Sequence, residues 1–210
     1  MKSRDRILAR LRHGRTASPA APMTPPESPP ATVTQPDLEA MIEALGAAHA
    51  EVIRIEESQW PDRLAAMAAE RSWQHWWVGR DEVAQTWQQH ASAPQVTVFD
   101  DWTTQKDALF REAPVALSLA QGGIAETGTL IVESRPETPR TLSLVPPVHV
   151  VVVRERTVYP DMAKALANYS HSGLPTNLIF ISGPSKTADI QQTLAYGAHG
   201  PKELIVFLCR

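Results

Sequence analysis

Cysteine is nearly absent: the 210 residues contain one, Cys209. A single thiol excludes an internal disulfide and a self-contained thiolate-held iron–sulfur cluster. The seven histidines form no H-x-x-x-H or H-E-x-x-H pair, so a metal site is not expected. Long apolar runs are missing too. Val148–Val153 and Leu178–Ile181 are far shorter than a bilayer span, so no stable membrane insertion is expected. The basic N-terminus lacks the apolar core of a signal peptide, and a cytoplasmic location is expected. The net charge of −3 gives no reason to expect nucleic acid as a partner.

What charge there is lies unevenly. In the first fifteen residues six cations (Lys2, Arg4, Arg6, Arg10, Arg12 and Arg15) face one acid, Asp5, giving +5 and leaving −8 for the rest. Ile7, Leu8 and Leu11 sit at helical spacing, so residues 3–13 read as a short basic amphipathic helix, within an arm of residues 1–15. Thr16 to Pro36 is rich in Pro, Ala, Thr and Ser. It has too little large apolar surface to offset ordering entropy and reads as a disordered linker over 16–36. The folded domain is expected over 37–210, and a hydrophobic content of 43% suffices for a packed core.

From Asp37 the pattern alternates. A helix opened by Pro36 or Asp37 runs to about Leu45, then come strand Glu51–Ile55, helix Trp60–Arg71, strand His75–Val78 and helix Asp81–His90. Strand Val96–Phe99, helix Thr104–Glu112 and strand Val115–Leu119 follow. This rhythm predicts an α/β fold with a mostly parallel sheet flanked by helices. It breaks at Gln121: a Gly-rich turn leads directly to a strand at Thr129–Glu133, and Leu142–Val145 reads as its return. Residues 121–145 thus predict a small antiparallel insertion. VHVVVV predicts a central strand, Tyr159–His171 a helix, Leu178–Ile181 a buried central strand, and Leu204–Leu208 a closing strand. All six tryptophans fall between Trp60 and Trp102. With Trp76 and Trp77 adjacent, they read either as core on both faces of the sheet or as part of a subunit interface.

Three stretches carry candidate chemistry. In Gly122-Gly123-Ile124-Ala125-Glu126-Thr127-Gly128-Thr129 the glycines miss the dinucleotide spacing. A Thr stands where a phosphate-binding loop needs Lys, and a strand follows in place of a helix. What remains is a turn where backbone can approach a ligand and Glu126 can serve as acid or base, or simply a hairpin entry with a solvated Glu. Ser182-Gly183-Pro184-Ser185-Lys186-Thr187 reads as a strand end entering a helix, with Ser185 or Thr187 as cap and Asp189 in the first turn. Its N–H groups, hydroxyls and Lys186 suit a small carboxylate or phosphate, whereas Asp189 opposes an anion. His199, between Ala198 and Gly200, reads as a turn residue at the crevice. His149, inside a core strand, reads as a satisfied buried histidine. The candidate site is therefore Glu126 as catalytic residue, with Gly122, Gly123, Thr127, Gly128, Thr129, Ser182, Gly183, Ser185, Lys186, Thr187 and His199 as ligand-binding residues. The two Gly-rich turns are expected side by side beyond the C-terminal ends of central strands.

Taken together, GIAETGTLIVES, SLVPPVHVVVV and ISGPSKTADIQQTLAYGAHGPKEL resemble the LUD domain of the LutC/YkgG lactate-utilisation family, most closely over Val115–Leu208. The resemblance implies a fold similar to the NagB/RpiA/CoA-transferase-like group. It also implies a subunit of a multi-protein system oxidising L-lactate to pyruvate, with iron–sulfur clusters carried by partner proteins and none in this chain. The family motifs map onto Gly123–Thr129, Pro147–His149, Ser182–Asp189 and His199–Glu203. The alternative is a stand-alone transferase or isomerase, with Glu126 as nucleophile or base and the helix start at Thr187 holding an acyl-CoA or sugar phosphate.

Overall fold

A computed structural model describes residues 3–17, 35–172, 175–188, 194–197 and 199–210. The chain divides into two units, residues 1–30 and 31–210. In the first, helix α1 spans Ser3–Ala17, and Ile7 and Leu11, one turn apart, are both exposed. Most of the predicted linker lies outside the described residues.

In the second unit, α2 (Leu38–Ala47) opens on Asp37, whose carboxylate accepts from the Ala40 N–H at 3.0 Å. Six strands form a fully parallel sheet: β1 (Glu51–Ile55), β2 (His75–Val78), β3 (Gln95–Val98), β4 (Val115–Leu119), β7 (Val148–Arg154) and β12 (Glu203–Cys209). Their spatial order is β1-β12-β7-β4-β2-β3. The continuous apolar runs of β7 and β12 fit strands covered on both faces. On one face pack α3 (Trp60–Glu70) and α4 (Glu82–Gln89), with Leu64, Met67, Val83 and Trp87 against Leu117, Val150 and Phe207. The opposite face carries α5 (Trp102–Glu112) at one side, through Leu109 on Trp77 and Ala116. Trp76 and Trp77 are both buried, on opposite faces, as strand alternation requires.

The rest of that second face is covered by another sheet. It comprises β5 (Gly122–Ile124), β6 (Thr129–Ser134), β8 (Val158–Tyr159) and β9 (Asn177–Ile181), in the order β8-β5-β6-β9. The β5–β6 and β6–β9 pairs are antiparallel. Leu130 and Val132 of β6 meet Val151, Val153, Val206 and Leu208, with Met41 and Leu45 of α2 closing the layer. The insertion inferred from sequence is thus a second, mixed sheet. Among the described residues, no helix is long and apolar enough to cross a membrane.

Four elements differ from expectation. Leu178–Ile181 is not a central parallel strand: β9 lies at the edge of the second sheet, and Phe180 is exposed. An apolar run says that a strand buries something, not which sheet it joins. Residues 142–145 do not return as a strand; Thr141–Leu144 forms a short helix, α6. Tyr159 ends β8, and helix α7 begins only at Met162, where Asp161 caps the Lys164 N–H at 2.7 Å. Finally, no helix starts at Thr187. Lys186–Ala188 forms β10, antiparallel to β11 (Leu194–Tyr196). The ladder continues outward as the Gly197 N–H donates to the Ser185 carbonyl at 2.8 Å, which holds this stretch extended. Asp189 lies outside the described residues.

Candidate functional site

The two Gly-containing motifs meet through hydroxyls. Thr127 Oγ1 lies 2.7 Å from Thr129 Oγ1, which in turn lies 2.7 Å from Ser182 Oγ. Thr129 is buried at the start of β6, and Ser182 directly follows β9, its antiparallel neighbour. Sheet pairing therefore delivers the two motifs to one place.

Next to this junction lies a cavity of about 220 Å³. Its polar lining is Ser143, His149, Ser182, Ser185 and His199, and its apolar walls include Leu144, Ile181 and Leu204. His149 and Leu204 stand at the N-terminal ends of β7 and β12, so the cavity opens at the N-terminal edge of the parallel sheet. Sequence reasoning placed it at the other edge because it took β9 for a member of that sheet. The Ser182–Ser185 segment is anchored where the Ser185 N–H donates to the Pro201 carbonyl at 2.8 Å, tying it to the turn that carries His199.

At the cavity floor His149 Nε2 lies 2.6 Å from Ser118 Oγ, and both residues are buried. In the parallel register His149 sits opposite Ala116 and Ser118 opposite Val151, so the two side chains share the face turned toward the second sheet. Burial pushes the His149 imidazole down to about 3, and the ring is neutral at physiological pH. A neutral imidazole with one nitrogen on a serine hydroxyl can exchange a hydrogen bond, and a bound anion can draw a proton onto it. Sequence reasoning assigned His149 a structural role and passed over Ser118 and Ser143. A lone serine inside the apolar run VALSL was the available signal for Ser118.

The other candidates fall elsewhere. Glu126 is exposed in a short 3₁₀ turn and does not line this cavity. Lys186 lines a separate groove with Ala48 and Gly183. Nothing is described of the Thr187 side chain, but its backbone is in a strand, so the anion site at a helix N-terminus has no helix. Gly122 and Gly123 are packing glycines: a Cβ would stand 2.7 Å from the Thr157 carbonyl oxygen and 2.6 Å from Met41 Cε, respectively. Cys209 is buried in β12, where burial pushes its thiol up to about 12. Among the described residues no group of three or more His, Cys, Asp or Glu is placed to hold a metal ion.

Comparison with known proteins places this geometry in context. The model of the LUD domain matches residues 38–209. An uncharacterized protein of Neisseria meningitidis serogroup B is 50% identical over 109 residues, covering 51% of this chain and 46% of that protein. A protein named Lactate utilization protein C from Exiguobacterium is 29% identical over 163 residues, 73% of this chain and 69% of that one. A protein of the same name from Geobacillus thermodenitrificans is 35% identical over 96 residues, 43% of this chain and 40% of that one. Against the first and third of these relatives, the match spans less than half of the relative's length. The crystal structure of a DUF162 family protein from Deinococcus radiodurans superposes with a TM-score of 0.59 at 23% identity, covering 82% of this chain and 96% of that one. That likeness establishes the fold.

Proposed function

Because this chain belongs to the LUD domain family, we propose that it is a cytoplasmic component of a lactate-utilisation system that oxidises L-lactate to pyruvate. The observation that carries this reading is the match over 73% of the chain to a protein named for lactate utilisation. The cavity is consistent with it. Three serine hydroxyls and two imidazoles around about 220 Å³ suit a small hydroxy- or keto-carboxylate, with Leu144, Ile181 and Leu204 for a methyl group. Oxidation of the secondary alcohol to a ketone releases two electrons and two protons. The electrons pass to iron–sulfur proteins that act as partners. The single cysteine supports placing clusters there, since one buried thiol cannot assemble one.

Deleting the gene is expected to abolish growth on L-lactate while leaving growth on glucose intact, and the protein should co-purify from lactate-grown cells with iron–sulfur proteins. Undiminished growth on lactate would refute the assignment. In the same assay His199→Ala is expected to impair growth on lactate. Because His199 is exposed, the substitution should change stability by no more than about 0.5 kcal/mol, measured by urea denaturation. Full complementation by that variant would remove His199 from the site.

A further inference from the structure

A second cavity, of about 370 Å³, opens beyond the C-terminal end of β3. The topology marks this edge. The chain leaves β2 into α4 on one face of the sheet and leaves β3 into α5 on the other. Such a divergence creates the crevice in which α/β proteins bind ligands. Directly over the end of β2 the crevice is filled by the chain itself. The Arg80 N–H donates to the Glu137 carbonyl at 2.7 Å, and a Cβ on Gly79 would stand 2.4 Å from that oxygen. The open space lies on the β3 side.

Its lining combines cations, one acid and an aromatic plane. The Arg135 Nε–H donates to the buried Glu133 carboxylate at 2.6 Å, and the Tyr169 hydroxyl donates to the other oxygen of that carboxylate at 2.8 Å. This clamp fixes a guanidinium whose side chain remains 56% exposed and which retains further N–H donors. Arg140 also lines the cavity, its backbone N–H held by Ser134 Oγ at 3.3 Å. Among the described residues no carboxylate pairs with its guanidinium. Trp102 is 48% exposed, braced edge-on by Phe99 and Phe110 at centroid distances of 6.2 and 6.3 Å. The Lys106 ammonium stands over the indole, 5.3 Å from its ring centroid. Among the described residues Asp100 is the one carboxylate in the lining. Thr141 Oγ1 is buried with no hydrogen-bond partner among the described residues.

We propose that this cavity is a nucleotide site. The base stacks on Trp102, the phosphates lie on Arg135 and Arg140, and the ribose hydroxyls donate to Asp100. Each element of the lining answers one part of such a ligand: an exposed indole a π-face, two guanidinia a phosphate, a carboxylate a diol. The volume lies within the range of roughly 300–1,000 Å³ typical of small-molecule pockets. The ligand is held by side chains at the start of α5 and in the segment after β6, not by a Gly-rich backbone turn, so neither Gly-rich nucleotide fingerprint is required. The proposal is independent of the lactate assignment, because the two cavities share no residue.

Calorimetric titration of the full chain with adenosine diphosphate tests it, with adenosine and pyrophosphate as part-ligands. Adenosine diphosphate is expected to bind with a Kd below about 1 mM, and each part-ligand at least about tenfold more weakly. Arg140→Ala and Trp102→Ala, both at exposed side chains, should each weaken binding by about tenfold or more. Arg63→Ala, a cation elsewhere on the surface, should leave it unchanged. No binding of adenosine diphosphate, binding indifferent to both cavity variants, or pyrophosphate binding as tightly as the whole nucleotide would each overturn the assignment.

Discussion

Replacing Gly128 by alanine is expected to destabilise the protein by about 2–4 kcal/mol, the sum of a left-handed backbone penalty and an overpacking penalty. Gly128 has φ +57° and ψ +48°, where an L-residue's Cβ crowds its own carbonyl. A Cβ there would also stand 2.7 Å from Ala44 Cβ and 2.9 Å from the Leu45 nitrogen, which belong to the packed wall of α2 and cannot swing aside. In a domain of this size the loss should lower Tm by about 5–15 °C. Gly46→Ala is the internal control. Nothing lies within 4 Å of a Cβ at that position in the last turn of α2, and the change should stabilise by up to about 1 kcal/mol through helix propensity. The Gly128 variant should also disturb the site, because the next residue, Thr129, carries the hydroxyl that meets Ser182. A Gly128→Ala protein within about 0.5 kcal/mol of wild type would show that the turn relaxes and that α2 does not fix it.

That glycine shows what local sequence can and cannot disclose. Chain-local features were legible. Strands Glu51–Ile55, His75–Val78 and Val115–Leu119 have the bounds that apolar runs between turn residues predict, and of Pro36 and Asp37, the two residues expected to open the first helix, Asp37 is the cap. Gly128 is readable as a turn residue, but its intolerance of a Cβ comes from α2, more than eighty residues earlier. The same holds for Gly122 and Gly123, which look like a ligand cradle in sequence and in the fold admit Thr157 and Met41. The larger misreading was the second sheet. Asn177–Ile181 is as apolar as a central strand, and only its long-range pairing with β6 sends it to the outer layer. Moving that strand moved the cavity from one edge of the parallel sheet to the other. Ser182, Ser185 and His199 stand together because β9, the 182–185 segment and the turn before β12 converge there, a convergence no local pattern encodes.

His149 yields the sharpest solution test. Its imidazole is held at about 3 in the folded protein, against about 6.5 in an unfolded chain. Below pH 6.5 the unfolded state takes up a proton that the folded state refuses until about pH 3. Stability is therefore fully present above pH 6.5 and is lost as the pH falls through that window. For one such group the loss between pH 7 and pH 5 is about 2 kcal/mol. The carboxyls of Glu57 and Asp101, lowered chiefly by hydrogen bonds from Arg154 and Thr104 respectively, lose their contributions only further down, below the ordinary carboxylate range. Asp81, raised chiefly by burial, acts with the opposite sign: its contribution is present at low pH and lost as pH rises through its folded value. The measurement is therefore a difference. His149→Gln keeps a group able to hydrogen-bond Ser118 but removes the titration. Its stability should fall less steeply than wild type between pH 7 and 5, by about 2 kcal/mol over the interval. Parallel slopes would mean that the folded state admits a proton at His149, either through solvent or through an acceptor in the cavity. The same slope reports on the ligand: a carboxylate seated beside His149 supplies the counter-charge that the buried ring lacks, so saturating lactate or pyruvate should flatten the wild-type slope and leave that of His149→Gln unchanged.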